Sequence, residues 1–143
     1  RSVSLMRVCQ PGPVARKCST ISGSMRSLSA TLGLADGGRP ARTDWERVEA
    51  FGDIAAPMRL QIFTGRTHQI RVHAASIGHP VAGDERYGAA DDPAVAKYGL
   101  KRLFLHARSL AFTSPHNGAL TIEAPLGDDL TAPLDRIRMQ PRE

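Results

Sequence analysis

Nine consecutive residues, Gly65-Arg66-Thr67-His68-Gln69-Ile70-Arg71-Val72-His73, concentrate the side chains with chemical capability. Two guanidinium groups, two imidazoles, a hydroxyl and an amide follow a glycine. If the run opens a helix, its backbone N–H groups and side-chain donors face one region, an arrangement that suits an anionic ligand. On chemistry alone a solvated helix start accounts for the same residues more simply. The spacing argues against zinc. His68 and His73 are five apart with no glutamate in the HExxH register, and His79 lies beyond Gly78. No metal is expected. His106, between Leu105 and Ala107, reads as a satisfied buried histidine, and Asp84, after Gly83, as a turn aspartate that caps nearby backbone donors.

The flanking pattern supplies the elements that must hold this run. Ala41, Thr43 and Trp45 alternate with charged residues as in a half-buried strand. Met58, Leu60 and Ile62 form a second such strand, ending at Thr64-Gly65. Ile70, Ala74 and Ile77 then fall at helical spacing, which predicts a helix from Thr67 to Ile77 with Thr67 as N-cap and Gly78 as its stop. His68 and Arg71 share a different, polar face of that helix with Ala75. Asp92-Pro93 predicts a short helix to about Tyr98. Leu103 to Phe112 reads as one strand, Asn117-Gly118 as a hairpin turn, and Leu120 and Ile122 as the return strand. Leu130, Leu134 and Ile137, behind Asp128-Asp129, predict a terminal amphipathic helix.

At 143 residues the chain can bury one core, and its 41% hydrophobic and 23% charged content is that of a protein that folds in water. No apolar run approaches the roughly 20 residues of a membrane span, so no membrane partner is expected. The net charge of +5 lies entirely in residues 1–35, which hold Arg1, Arg7, Arg16, Lys17 and Arg26 and no acid. A basic arm favours polyanions such as nucleic acid, and a solvated tail explains the charge equally well. The arm is rich in serine and lacks a sustained apolar period, so it is expected to be poorly ordered, with the folded region spanning 36–143. Cys9 and Cys18 also lie in the arm and match no metal or redox spacing. With no secretory h-region, a cytoplasmic location is expected.

The run from Thr64 to Gly88, TGRTHQIRVHAASIGHPVAGDERYG, resembles the signature of RluA-type pseudouridine synthases. The resemblance continues through Arg102-Leu103-Phe104-Leu105-His106-Ala107 to Glu123-Ala124-Pro125, and back to Gly38-Arg39-Pro40-Ala41 with Thr43 at the family's strand threonine. Several segments in one order are far more specific than one short motif. The 84–88 loop and the 100–107 stretch are most similar to the large-subunit pseudouridine synthase C group.

The resemblance implies an α+β fold, with a mixed, mainly antiparallel sheet and flanking helices, as the C-terminal part of a catalytic domain. It implies an isomerase that detaches uracil from C1′ of its ribose and reattaches it through C5 without a cofactor, in RNA and specifically in 23S ribosomal RNA. Arg71 matches the family arginine that supports the catalytic aspartate, so its guanidinium is expected in an open cleft. Arg66, Thr67, His68 and Gln69 become candidates for RNA contact, and Ile70 for the base pocket, although its stripe also fits the core. The His-Arg-Leu-Asp segment that bears the family's aspartate is not among the 143 residues, nor is its active-site tyrosine matched. Two functional readings follow: part of a pseudouridine synthase, inactive by itself, or a non-catalytic RNA-binding module built on the same fold.

Overall fold

A computed structural model describes residues 2–7, 26–32, 39–49, 51, 55–88, 92 and 97–140. In chain order the elements are β1 (Ser2–Arg7), β2 (Arg26–Leu32), β3 (Arg39–Arg47), β4 (Ala55–Ile62), α1 (Gln69–Ser76), β5 (Leu105–Ala107), β6 (Ser109–Ser114), β7 (Gly118–Glu123) and α2 (Asp128–Arg138). Five strands form one sheet in the order β2-β3-β4-β1-β5, and β6 and β7 form a separate ribbon. The α+β expectation holds, and every strand pairing among the described residues is antiparallel.

Strand alternation decides where the core lies. Ala56, Met58 and Leu60 on β4 face one side and meet Ile70 and Ala74 of α1 together with Val81. Ala55, one step out of that register, joins a second cluster under α2, built from Phe51, Ala82, Tyr98, Leu100, Phe104, Leu130, Leu134 and Ile137. The apolar stripes read from the sequence are thus the buried faces of both helices. Helix α1 stops where Gly78 takes a positive φ of 79°. There Gly78 N–H donates to Ala75 O and His79 N–H to Ala74 O, the paired bonds of a Schellman ending. Helix α2 carries Asp128 and Asp129 in its first turn and Arg136 and Arg138 in its last, each complementing the helix dipole.

Three expectations are corrected. Two described segments of the expected arm, Ser2–Arg7 and Arg26–Leu32, are strands: β1 lies between β4 and β5 in the sheet, with Ser2 opposite Leu60 and Arg7 opposite Ala55, and β2 pairs with β3. Ser2-Val3-Ser4-Leu5 and Ser27-Leu28-Ser29-Ala30 do alternate, and pairing with β4 and β3 supplies stability that local composition omits. The strand expected over Leu103 to Phe112 is broken at Arg108 into β5, which pairs with β1, and β6, which pairs with β7. Helix α1 begins at Gln69, with His68 rather than Thr67 at its N-cap position. The helix expected after Asp92 falls mainly on residues 93–96, outside the described residues.

Because β1 fills the gap between β4 and β5, its removal leaves two facing strand edges unpaired. Deleting residues 1–7 should therefore replace a cooperative thermal transition with a broad one and shift the chain to larger species on size exclusion. Unchanged melting and elution would show that β1 is dispensable.

Candidate functional site

The link between β4 and α1 is shaped by one buried amide. Gln69 is 4% exposed, and its Nε2 donates to the Arg42 carbonyl at 2.9 Å and to Thr43 Oγ1 at 3.0 Å. Its Oε1 accepts from Thr64 Oγ1 at 2.7 Å and from Arg66 N–H at 3.2 Å. One side chain therefore joins β3, the end of β4, the loop and the helix start. The network continues, because Thr43 Oγ1 lies 2.9 Å from His73 Nδ1. Having accepted from Gln69, the Thr43 hydroxyl has its hydrogen to donate to that nitrogen. His73 is fully buried, and burial holds its pKa below the ordinary value of 6.5. Its Nε2 has no hydrogen-bond partner among the described residues. A shallow recess beside it is lined by Thr43, Trp45, Leu60, Ile70 and Ala74.

A second lock joins α1 to the turn at residues 84–88. Arg71 donates from Nε and Nη2 to the two carboxylate oxygens of Asp84, both at 2.8 Å. The Asp84 side chain is 0% exposed and that of Arg71 18%. Asp84 Oδ1 also accepts from the backbone N–H of Arg86 at 3.0 Å and of Tyr87 at 2.9 Å. The Arg71 hydrogen bond is the main reason that the Asp84 pKa lies below the ordinary carboxylate value, reinforced by these backbone donors and opposed by burial. Arg71 is correspondingly raised by the same bond. Gly88 closes the turn so tightly that a Cβ there would collide with the Asp84 carbonyl.

Tyr87 ties this lock to the helix start. Its ring lies 5.1 Å from the Arg71 guanidinium carbon and 5.4 Å from that of Arg86, within cation–π range. Its hydroxyl is 3.1 Å from His68 Nδ1, and the two rings meet edge-on at 5.7 Å. His68 is the only non-glycine residue with a positive φ among the described residues, at 53°. A left-handed residue held by a ring contact and a side-chain bond is a local strain that its surroundings maintain.

Set against the sequence expectations, Arg66 and Thr67 are exposed on the loop, whereas His68 is partly buried against Tyr87. Gln69 is corrected from an RNA contact to an internal clamp, because its amide is consumed by four bonds. Ile70 is a core residue that also borders the recess. Arg71 does not reach an open cleft. A bidentate partner from the same chain occupies it, and the arrangement is an internal ion pair. Asp84 caps backbone donors as expected and also anchors Arg71. The role of Tyr87 was not foreseen, although it lies in the 84–88 loop that carries part of the family resemblance. His106 is satisfied as expected, its Nε2 lying 2.8 Å from the Ala124 carbonyl, although it is partly rather than fully buried.

Comparison with known proteins gives the class. No family model matches the chain. Two solved structures, human RNA pseudouridylate synthase domain containing 1 and 4, superpose with TM-scores of 0.65 and 0.66 at 22% identity, covering 99% of this chain and 66% and 63% of theirs. The fold is therefore that of a pseudouridylate synthase domain. In sequence, ribosomal large subunit pseudouridine synthase D of Nitrosomonas europaea is 44% identical over 114 residues, 77% of this chain. Ribosomal large subunit pseudouridine synthase C of Escherichia coli K12 is 43% identical over 105 residues, 71% of this chain. The chain belongs with the RluA-type pseudouridine synthases, and it spans about a third of the length of these curated relatives, 33% in both.

Two measurements test the site as built. Removing one member of a buried ion pair leaves the other uncompensated, so Asp84→Asn should destabilise the chain by about 3–5 kcal/mol in urea unfolding. Arg71→Ala should do the same, and the double substitution should cost clearly less than the sum. Additive costs would mean that the pair is not coupled. For acid sensitivity, His73 is held neutral in the fold, so its contribution is present above pH 6.5 and drains away as pH falls below that value. Asp84 has a depressed folded pKa, so its contribution is present above about 3.8 and is lost as pH falls through the folded value. Stability should therefore decline first in the histidine range, and His73→Gln should flatten that first decline while leaving the carboxylate range unchanged. An unaltered profile in His73→Gln would assign the early loss elsewhere.

Proposed function

We propose that the chain is the C-terminal part of an RNA pseudouridine synthase acting on 23S ribosomal RNA, and that it supplies the RNA-facing loop between β4 and α1 but not the nucleophile. The observation that carries this reading is the 44% identity over 114 residues to a large-subunit pseudouridine synthase, in a chain whose fold matches pseudouridylate synthase domains. The geometry supports it in a specific way. The clamp at Gln69 and the lock at Arg71 hold the first turn of α1, while Arg66 and Thr67 stay exposed on the loop that leads into it. Preorganised donors at a helix start favour a polyanion.

The reaction is an isomerisation: uracil leaves C1′, turns and returns through C5, so no atom is gained or lost. By the family resemblance it needs an aspartate from a His-Arg-Leu-Asp segment, and no such segment occurs in the 143 residues. The same reading places the protein in the cytoplasm with RNA as its partner. The alternative of a non-catalytic RNA-binding module shares the loop and differs only in whether that aspartate is ever supplied.

The 143-residue chain should give no pseudouridine in ribosomal RNA above a mock preparation, by carbodiimide–primer-extension mapping. Fusing it to the upstream part of a large-subunit relative, including the His-Arg-Leu-Asp segment, should restore turnover. Turnover by the chain alone would refute the division of labour. A folded fusion that binds RNA without turnover would favour the binding module.

A further inference from the structure

The loop that follows β4 exposes an aromatic ring beside a fixed cation. Phe63 is 51% exposed, and the Arg42 guanidinium carbon lies 4.5 Å from its ring centroid. A single exposed apolar residue needs no explanation, but this one belongs to a built stack. Arg42 Nε and Nη2 donate to the two Asp44 oxygens at 3.1 and 3.0 Å, which fixes the plane of the guanidinium. Its backbone N–H donates to Thr64 Oγ1 at 3.0 Å, and its carbonyl accepts from Phe63 N–H at 3.1 Å and from the buried Gln69 amide. The ring and the guanidinium are thus held against each other from both strands.

What stands next to the stack indicates its partner. Arg66, three residues on, is exposed and has no carboxylate partner among the described residues. Gly65 between them has no heavy atom within 4 Å of the place a Cβ would take, so the backbone there is open to approach. A flat aromatic surface, a planar guanidinium, an unneutralised cation and open backbone are what single-stranded nucleic acid requires: stacking for a base and positive charge for the adjacent phosphate. A protein partner would be served as well by the ring but would not call for the uncompensated charge.

We propose that Phe63, backed by Arg42, is a stacking platform for an unpaired RNA base, and that Arg66 takes the neighbouring phosphate. The proposal rests on the RNA-modifying reading above and names two groups, Phe63 and Arg42, that the signature residues do not include. Because Asp44 neutralises Arg42, the platform contributes stacking and shape, while the salt dependence comes from Arg66.

The test uses the full 143-residue chain and a fluorescein-labelled single-stranded oligouridylate of about 12 nucleotides, within the site sizes of single-strand binders. Phe63→Ala should weaken binding by about five- to a hundred-fold, the range of one base–aromatic stack, with the salt slope unchanged. Phe63→Trp should keep or improve affinity, and Phe63→Leu, apolar but without a π face, should behave like alanine. Arg66→Gln should lower the salt slope by about 0.7. If Phe63→Ala disturbs the fold by circular dichroism, the tryptophan and leucine variants carry the comparison. Equal affinity of the tryptophan and leucine variants would overturn the platform, as would failure of the folded chain to bind the oligonucleotide. Pseudouridine formation by the fusion enzyme reports on the catalytic reading separately. Turnover with single-strand affinity unmoved by the Phe63 substitutions would retain that reading and discard the platform.

Discussion

The arrangement of the site depends on one side-chain amide. Gln69 sits at the first turn of α1 with both ends of its amide engaged, two bonds into β3 and two into the segment that leaves β4. A buried amide left unpaired costs about 1–3 kcal/mol, so the position strongly selects a side chain with donor and acceptor at this reach. A glutamate would present no donor to the Arg42 carbonyl and would bring a charge into a buried place. A leucine would deprive the Arg66 N–H and the Thr64 hydroxyl of the acceptor they share. The helix start is drawn toward the sheet by this amide, which accounts for the helix beginning after His68 instead of at the threonine that looked like a cap.

The Arg71–Asp84 pair works in a different way. Two charges lose hydration, and the carboxylate recovers it through two guanidinium N–H and two backbone N–H bonds. Such a pair adds little net stability relative to a well-packed apolar substitute, but breaking it from one side is costly, and its geometry admits few alternatives. It therefore fixes how the turn at 84–88 sits on α1. Tyr87 extends the lock to His68, so the strained left-handed residue at the helix start is held by the same turn that holds the arginine. The two fastenings leave Arg66 and Thr67 presented by a short loop whose ends cannot drift.

Much of this was legible from the residues themselves. The apolar stripes Ile70-Ala74-Ile77 and Leu130-Leu134-Ile137, the alternation through Ala41-Thr43-Trp45 and Met58-Leu60, the glycine stop at Gly78 and the turn at Asn117-Gly118 are local signals, and local backbone sterics and burial obey them. The run at residues 64–88 identified the family because several groups of residues in one order carry more information than any single site. Composition, by contrast, misled at Ser2–Arg7 and Arg26–Leu32, which pair as strands although they belong to the serine-rich region read as an arm.

Tertiary structure alone decided which acids and bases meet. Arg71 and Asp84 are thirteen positions apart and Gln69 and Arg42 twenty-seven, and no periodicity specifies such distances. The sequence marked Arg71 as a group with a carboxylate partner, and that its partner within this chain is Asp84 depends on how the turn after Gly83 folds onto the helix. Likewise Ser2–Arg7 becomes a sheet strand because β4 and β5 each offer an edge to pair with it. Strand pairing stabilises through partners distant in the chain, so sequence alone determined the elements and the family, while their meeting in space determined what each charged side chain does.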